Sequence, residues 1–148
     1  MEKLNLPPAD IRQRIQKDLP EIFDEVRRKY VALTPEEWVR QHFVHYLVHY
    51  LNVPLSLIAV EKSLKLNRMV KRTDILVYGK NTRPLLMVEC KAPQVKISQK
   101  VFDQVSRYNI ALKVPFLAVT NGMEHFCIRI DFRKKSYSFL QEIPDFKQ

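Results

Sequence analysis

The chain has 148 residues, 46% of them hydrophobic, which is one domain (1–148) with enough apolar side chains for a core. No apolar run approaches the ~20 residues of a membrane span, and with only Gly79 and Gly122 a glycine-rich phosphate loop, hence a nucleotide-driven motor, is excluded. Lys plus Arg number 25 against 16 Asp plus Glu, and that +9 favours polyanionic partners, with plain solubility as the bland alternative.

Two cysteines, Cys90 and Cys127, make no disulfide framework, and the charged N-terminus does not read as a secretory leader. A cytoplasmic protein with reduced thiols is expected. Basic residues gather at Lys62, Lys65, Arg68, Lys71 and Arg72, at Lys96, Lys100, Arg107 and Lys113, and at Arg129 and Arg133 to Lys135.

Residues 8–31 read as a charged helical extension divided at Pro20, so that 1–31 precedes a core at 32–140. A helix is then well signalled. Thr34-Pro35-Glu36-Glu37 is a capping box with proline at the first helical position, and Val39, Phe43, Tyr46, Leu47, Tyr50 and Leu51 form one stripe. Asn52 and Pro54 end it. Residues 55–66 fit one long edge strand, and "RTDILVYG" and "RPLLMVECK" fit two strands joined around Gly79-Lys80-Asn81-Thr82. Ser98 caps a helix with the stripe Val101, Val105, Tyr108, Leu112; "VPFLAVTNG", "HFCIRIDF" and "SYSFL" are further strands. The order predicts an α/β (α+β) fold, a mixed central sheet flanked by helices.

The segment "LLMVECKAP" at 85–93 runs apolar without alternation and then presents Glu89 and Lys91. With the preceding turn centred between Asn81 and Thr82, Val77 faces Leu86, Ile75 faces Val88 and Asp74 faces Glu89. Alternation then points Asp74, Glu89 and Lys91 the same way. Two carboxylates opposed at ~5 Å repel, and burial strips each of hydration. Such a pair persists when one is protonated or a cation lies between them. Oxygen ligands suit Mg²⁺ or Mn²⁺ rather than zinc, and a neighbouring lysine can activate water for attack on a phosphate. The bland alternative is a solvated Glu-X-Lys pair, and a one-residue register slip would flip Asp74 to the other face.

Asp74 with Glu89-Cys90-Lys91 resembles the PD-(D/E)XK nuclease motif. With "TPEEWVRQHFVHYL", "KRTDILVY", "FDQVSRYNIAL" and "LAVTNG" in order, the span from about Tyr30 to Phe132 resembles the N-terminal nuclease domain of type I restriction enzyme R subunits. The resemblance implies a restriction-endonuclease-like fold and Mg²⁺- or Mn²⁺-dependent cleavage of DNA. By position, Asp74, Glu89 and the Cys90 backbone carbonyl would ligate the metal and Lys91 would act on the attacking water. Gln104 and Tyr108 match a Gln-X-X-X-Tyr motif, Gln104 being the better functional candidate. The family often adds a helix glutamate, and Glu36, spaced to face the core, is preferred over Glu37. Lys71, Arg72, Lys96, Lys100, Arg107 and Tyr108 are candidate nucleic-acid contacts.

Two departures qualify this. Thr73 stands where the motif has proline, and the helicase motor that accompanies the nuclease in R subunits is missing from these residues. A stand-alone nuclease, a component working with a separate motor or specificity chain, or a weakly catalytic DNA-binding or assembly module all follow, each compatible with a homo-oligomer. Nothing in the sequence separates DNA from RNA. His42, His45 and His49 read as surface histidines, Cys90 as core rather than nucleophile, and Trp38 as a packing residue.

Overall fold

The computed structural model describes residues 1–144. The best-signalled element forms as read. Helix α1 (Pro35–His49) begins where Thr34, in extended backbone, accepts the Glu37 N–H on Oγ1 at 3.0 Å. Val39, Phe43 and Leu47 from its stripe are fully buried.

Residues 8–31 are not helical, which corrects the expectation. Strands β1 (Gln13–Gln16), β2 (Leu19–Asp24) and β3 (Lys29–Ala32) form a separate antiparallel sheet in that order. Its first turn puts both Lys17 and Asp18 at positive φ, the twist that a two-residue hairpin requires. Along β2, Ile22 and Asp24 are buried two residues apart, so the two-residue period prevails over the helical one. Asp24 closes the second turn: its carboxylate accepts the Val26 and Arg27 N–H groups and pairs with the Arg27 side chain.

The expected strand over 55–66 is also divided. A 3-10 turn at Leu55–Leu57 leads into β4 (Ile58–Val60), and Glu61 then takes positive φ. Beyond that break β5 (Ser63–Leu66) turns away and pairs with β6 (Met69–Arg72) as a two-stranded ribbon outside the main sheet. Two bonds from Thr73, N–H and Oγ1 to the Lys62 carbonyl, clamp the base of the ribbon.

The main sheet has six strands in the order β11 (Ser136–Leu140), β10 (His125–Asp131), β9 (Phe116–Thr120), β8 (Pro84–Cys90), β7 (Ile75–Tyr78), β4. Only β8 and β9 are parallel, and helix α2 (Gln99–Leu112) makes the crossover between them. Ser98 precedes α2 in extended backbone without a side-chain capping bond, and Lys113 ends it in the left-handed conformation.

This layering explains the unalternated run in β8. Leu86, Val88 and Cys90, with Ile75 and Val77, pack toward α1, whereas Met87 and Leu76 pack with Phe102 and Val105 of α2. Both faces of the hairpin are core, so both carry apolar side chains.

Gly122 shows how the N-terminal residues are tied in. It has φ +85°, its carbonyl accepts the Asn5 N–H, and a Cβ there would lie 2.8 Å from Leu4 Cδ2 and 3.1 Å from Val39 Cγ2. Gly122→Ala is expected to cost about 2 kcal/mol, measured as a lowered urea midpoint with unchanged m-value.

Candidate active site

The β7–β8 ladder pairs Ile75 with Val88, Leu76 with Met87 and Val77 with Leu86, the register read from the sequence, with an irregularity only nearer the turn. Asp74 does not extend that ladder opposite Glu89, because β7 begins at Ile75. Its side chain bridges instead: Asp74 Oδ2 accepts the Cys90 N–H at 2.7 Å. The Lys91 N–H is taken by the Thr120 carbonyl at 2.8 Å, so the end of β8 is anchored on both sides. Asp74, Glu89 and Lys91 are thereby brought to one end of the sheet.

Glu89 is buried, 6% exposed. Burial is the main cause of its raised pKa, and the Asp74 charge adds to it; the Lys71 and Lys91 ammoniums oppose the rise. Lys71 Nζ lies 2.8 Å from Glu89 Oε1. That contact is a short ion pair at a buried carboxylate, and the Lys71 hydrogen bond and charge both hold the Glu89 pKa down against burial. Lys71 also sits 5.4 Å from the centre of the Tyr108 ring on α2. It is therefore part of the site rather than a free surface cation.

Around Asp74 lies a second set of charges. Arg40 on α1, 6% exposed, approaches Glu37 and Glu61 at 3.3 Å each and Asp74 Oδ1 at 3.8 Å. Burial disfavours its charge, but Glu37, Asp74 and Glu61 outweigh that and raise its pKa. Glu61, pushed up by burial but held down more strongly by Arg40 and Arg72, is net lowered. Arg27 from the N-terminal sheet completes the network through Glu37 at 3.4 Å and Glu61 at 3.2 Å.

The helix glutamate expectation is corrected here: Glu36 is exposed and Glu37 is the buried one. Thr34 accepts the Glu37 N–H, but the Glu37 carboxylate does not return to the Thr34 N–H, which is bonded to Ala32. It turns inward to Gln41, Arg27 and Arg40. A capping box offers no sign of this, because it assigns that carboxylate to the helix end.

Gln104 is exposed, one turn before the half-buried Tyr108. Lys96, Lys100 and Arg107 are exposed along α2 and its lead-in, and Arg72 is exposed while paired with Glu61 at 2.7 Å. Cys90 faces the α1 core, and burial, reinforced by Asp74, holds its thiol protonated, so it is no nucleophile. His42 is not a surface histidine: it is 8% exposed, with Nδ1 2.8 Å from the Trp38 carbonyl and its ring against Trp38. His45 is half-buried and His49 exposed. Sequence reasoning missed Arg27, Arg40 and Glu61, which nothing in local spacing singles out.

A cavity of about 540 Å³ lies elsewhere, lined by Phe43, Tyr46, His125, Cys127 and Leu140 among others. Among the described residues no three His, Cys, Asp or Glu side chains group as metal ligands. The two carboxylates do fit a hydrated Mg²⁺ or Mn²⁺, which takes one or two carboxylates plus waters and substrate phosphate. Glu89 Oε1 is buried with the Lys71 ammonium 2.8 Å away, so a metal ion on that oxygen would take the ammonium's place.

A mixed sheet of six strands with two helices and an acidic hairpin end defines a restriction-endonuclease-like α+β fold. The family model for the type I restriction enzyme R protein N terminus (HSDR_N) matches residues 35–144, and the chain belongs to that family. No curated protein matches the chain.

The raised Glu89 pKa fixes a sign. The folded state holds this proton more tightly than the unfolded chain does. Its contribution to stability is therefore full below the ordinary value of 4.5 and is lost as pH rises through the raised value. Glu89→Gln is expected to gain stability relative to wild type as pH rises from 4.5 through the raised value, and to hold that gain to neutrality, measured as urea midpoints of both proteins across the range.

Proposed function

We propose that this chain is a metal-dependent endonuclease domain that hydrolyses DNA phosphodiester bonds within a restriction system. The supporting observation is the pair Asp74 and Glu89 at the end of β8, with Glu89 buried and its pKa raised by burial and by the Asp74 charge. Membership in the R-protein family supports DNA as substrate and further subunits, a motor or specificity chain, as partners.

In this reading Asp74, Glu89 and the Cys90 carbonyl hold Mg²⁺ or Mn²⁺, which supplies Lewis-acid stabilisation of charge on the phosphate. Lys91 positions and polarises the attacking water. Water attack forms the new P–O bond as the sugar oxygen leaves. Gln104 and Tyr108 line the approach from α2. Arg72, Lys96, Lys100 and Arg107 pair with backbone phosphates, which positions DNA without reading sequence. The ribbon β5–β6 carries exposed Lys65 and Arg68 toward the same polyanion, and a two-stranded ribbon is narrow enough for a major groove. Among the described residues no helix is long and apolar enough to cross a membrane, and a cytoplasmic location accords with the proposed substrate.

One observation favours a second reading, a DNA-binding or assembly module with weak catalysis. Each carboxylate already has a protein cation beside it, Arg40 at Asp74 and Lys71 at Glu89. Incubation with linear and supercoiled DNA in Mg²⁺ or Mn²⁺ separates the two. Wild type is expected to cleave, and Asp74→Ala, Glu89→Ala and Lys91→Ala to lose about 100-fold or more while binding DNA with similar affinity in a gel shift. Binding by all four without cleavage by any supports the module.

A further inference from the structure

Lys71 reaches Glu89 from outside the central sheet. It lies on β6, opposite Leu64 of β5, and Leu64 packs against the α2-side core. The Thr73–Lys62 clamp fixes the base of this ribbon, so the Lys71 ammonium is delivered to the site by a different element from Asp74, Glu89 or Lys91. Its side chain is 20% exposed against 8% for Glu89: the carboxylate is enclosed, the ammonium has a way out.

We propose that Lys71 is the resident counter-ion of Glu89, exchanged for the divalent cation on metal binding and thereby released to pair with a DNA phosphate. This rests on the reading of Asp74 and Glu89 as metal ligands. The exchange follows from space and charge. An ammonium at 2.8 Å from Glu89 Oε1 occupies the approach a metal ion needs, and a dipositive ion beside it would repel it. Tyr108, 5.4 Å from the ammonium, offers a ring face that keeps the displaced cation at the mouth of the site instead of in bulk water. Coupling then runs both ways, because whatever draws Lys71 away, DNA included, vacates Glu89 for metal.

Titration calorimetry with Mn²⁺ alone, without DNA, tests this on wild type, Lys71→Met, Lys71→Arg and Glu89→Gln. Lys71→Met is expected to bind Mn²⁺ about tenfold more tightly than wild type, the equivalent of one partly buried ion pair. Lys71→Arg should stay close to wild type, and Glu89→Gln should lose binding. Lys71→Gln replaces the methionine variant if that fails to fold. Lys71→Met binding no more tightly, with Glu89→Gln still defective, overturns the exchange and leaves the metal site standing. Glu89→Gln binding like wild type, or no saturable binding by wild type, overturns the metal site itself.

A second readout concerns DNA affinity in the Lys91→Ala background, followed against salt. Adding Mn²⁺ should steepen the salt slope by about 0.9 relative to the same protein carrying Lys71→Met, one extra phosphate contact. Equal slopes overturn the release of Lys71 to DNA.

Discussion

The register between β7 and β8 is the constraint on which the site depends. With Ile75 opposite Val88, Asp74 falls just past the ladder and its carboxylate can take the Cys90 N–H at 2.7 Å. Slipping β7 by one residue against β8 would exchange the α1-facing set Ile75 and Val77 for Leu76 and turn Asp74 to the other face. Both faces are packed, so the apolar residues that hold the hairpin in register also fix where its charges emerge.

Charge at that end is arranged rather than avoided. Two carboxylates of neighbouring segments raise each other's cost, and burial adds to it for Glu89. The fold answers with cations from three other places: Arg40 from α1, Lys71 from the ribbon and, at one remove, Arg27 from the N-terminal sheet. None of these lies on the strands that carry the acids. The site is therefore a meeting of four pieces of the molecule, and its electrostatics depend on how those pieces dock.

Some of this could be read in advance because it is local. The α1 cap at Thr34, the α2 stripe, the unalternated β8 and the hairpin register all follow from periods and turn chemistry over a few residues. The failures have a common cause. Residues 8–31 carry apolar positions compatible with a helix, yet Lys17 and Asp18 turn back on themselves and Ile22 and Asp24 are buried at a two-residue spacing. The strand over 55–66 broke at Glu61, whose conformation accompanies its role between Arg27, Arg40 and Arg72. Glu36 and Glu37 exchanged roles for the same kind of reason, since Arg27 and Arg40 draw Glu37 inward.

Sequence by itself determined the class of fold and the family, and singled out Asp74, Glu89 and Lys91 as candidates, because strand period, hairpin register and motif spacing are short-range properties of the chain. Tertiary structure alone decided which cation stands at each acid. Lys71 and Glu89 are eighteen positions apart, Arg40 and Asp74 thirty-four. No local pattern links them, and only the docking of ribbon and helix on the sheet sets those distances.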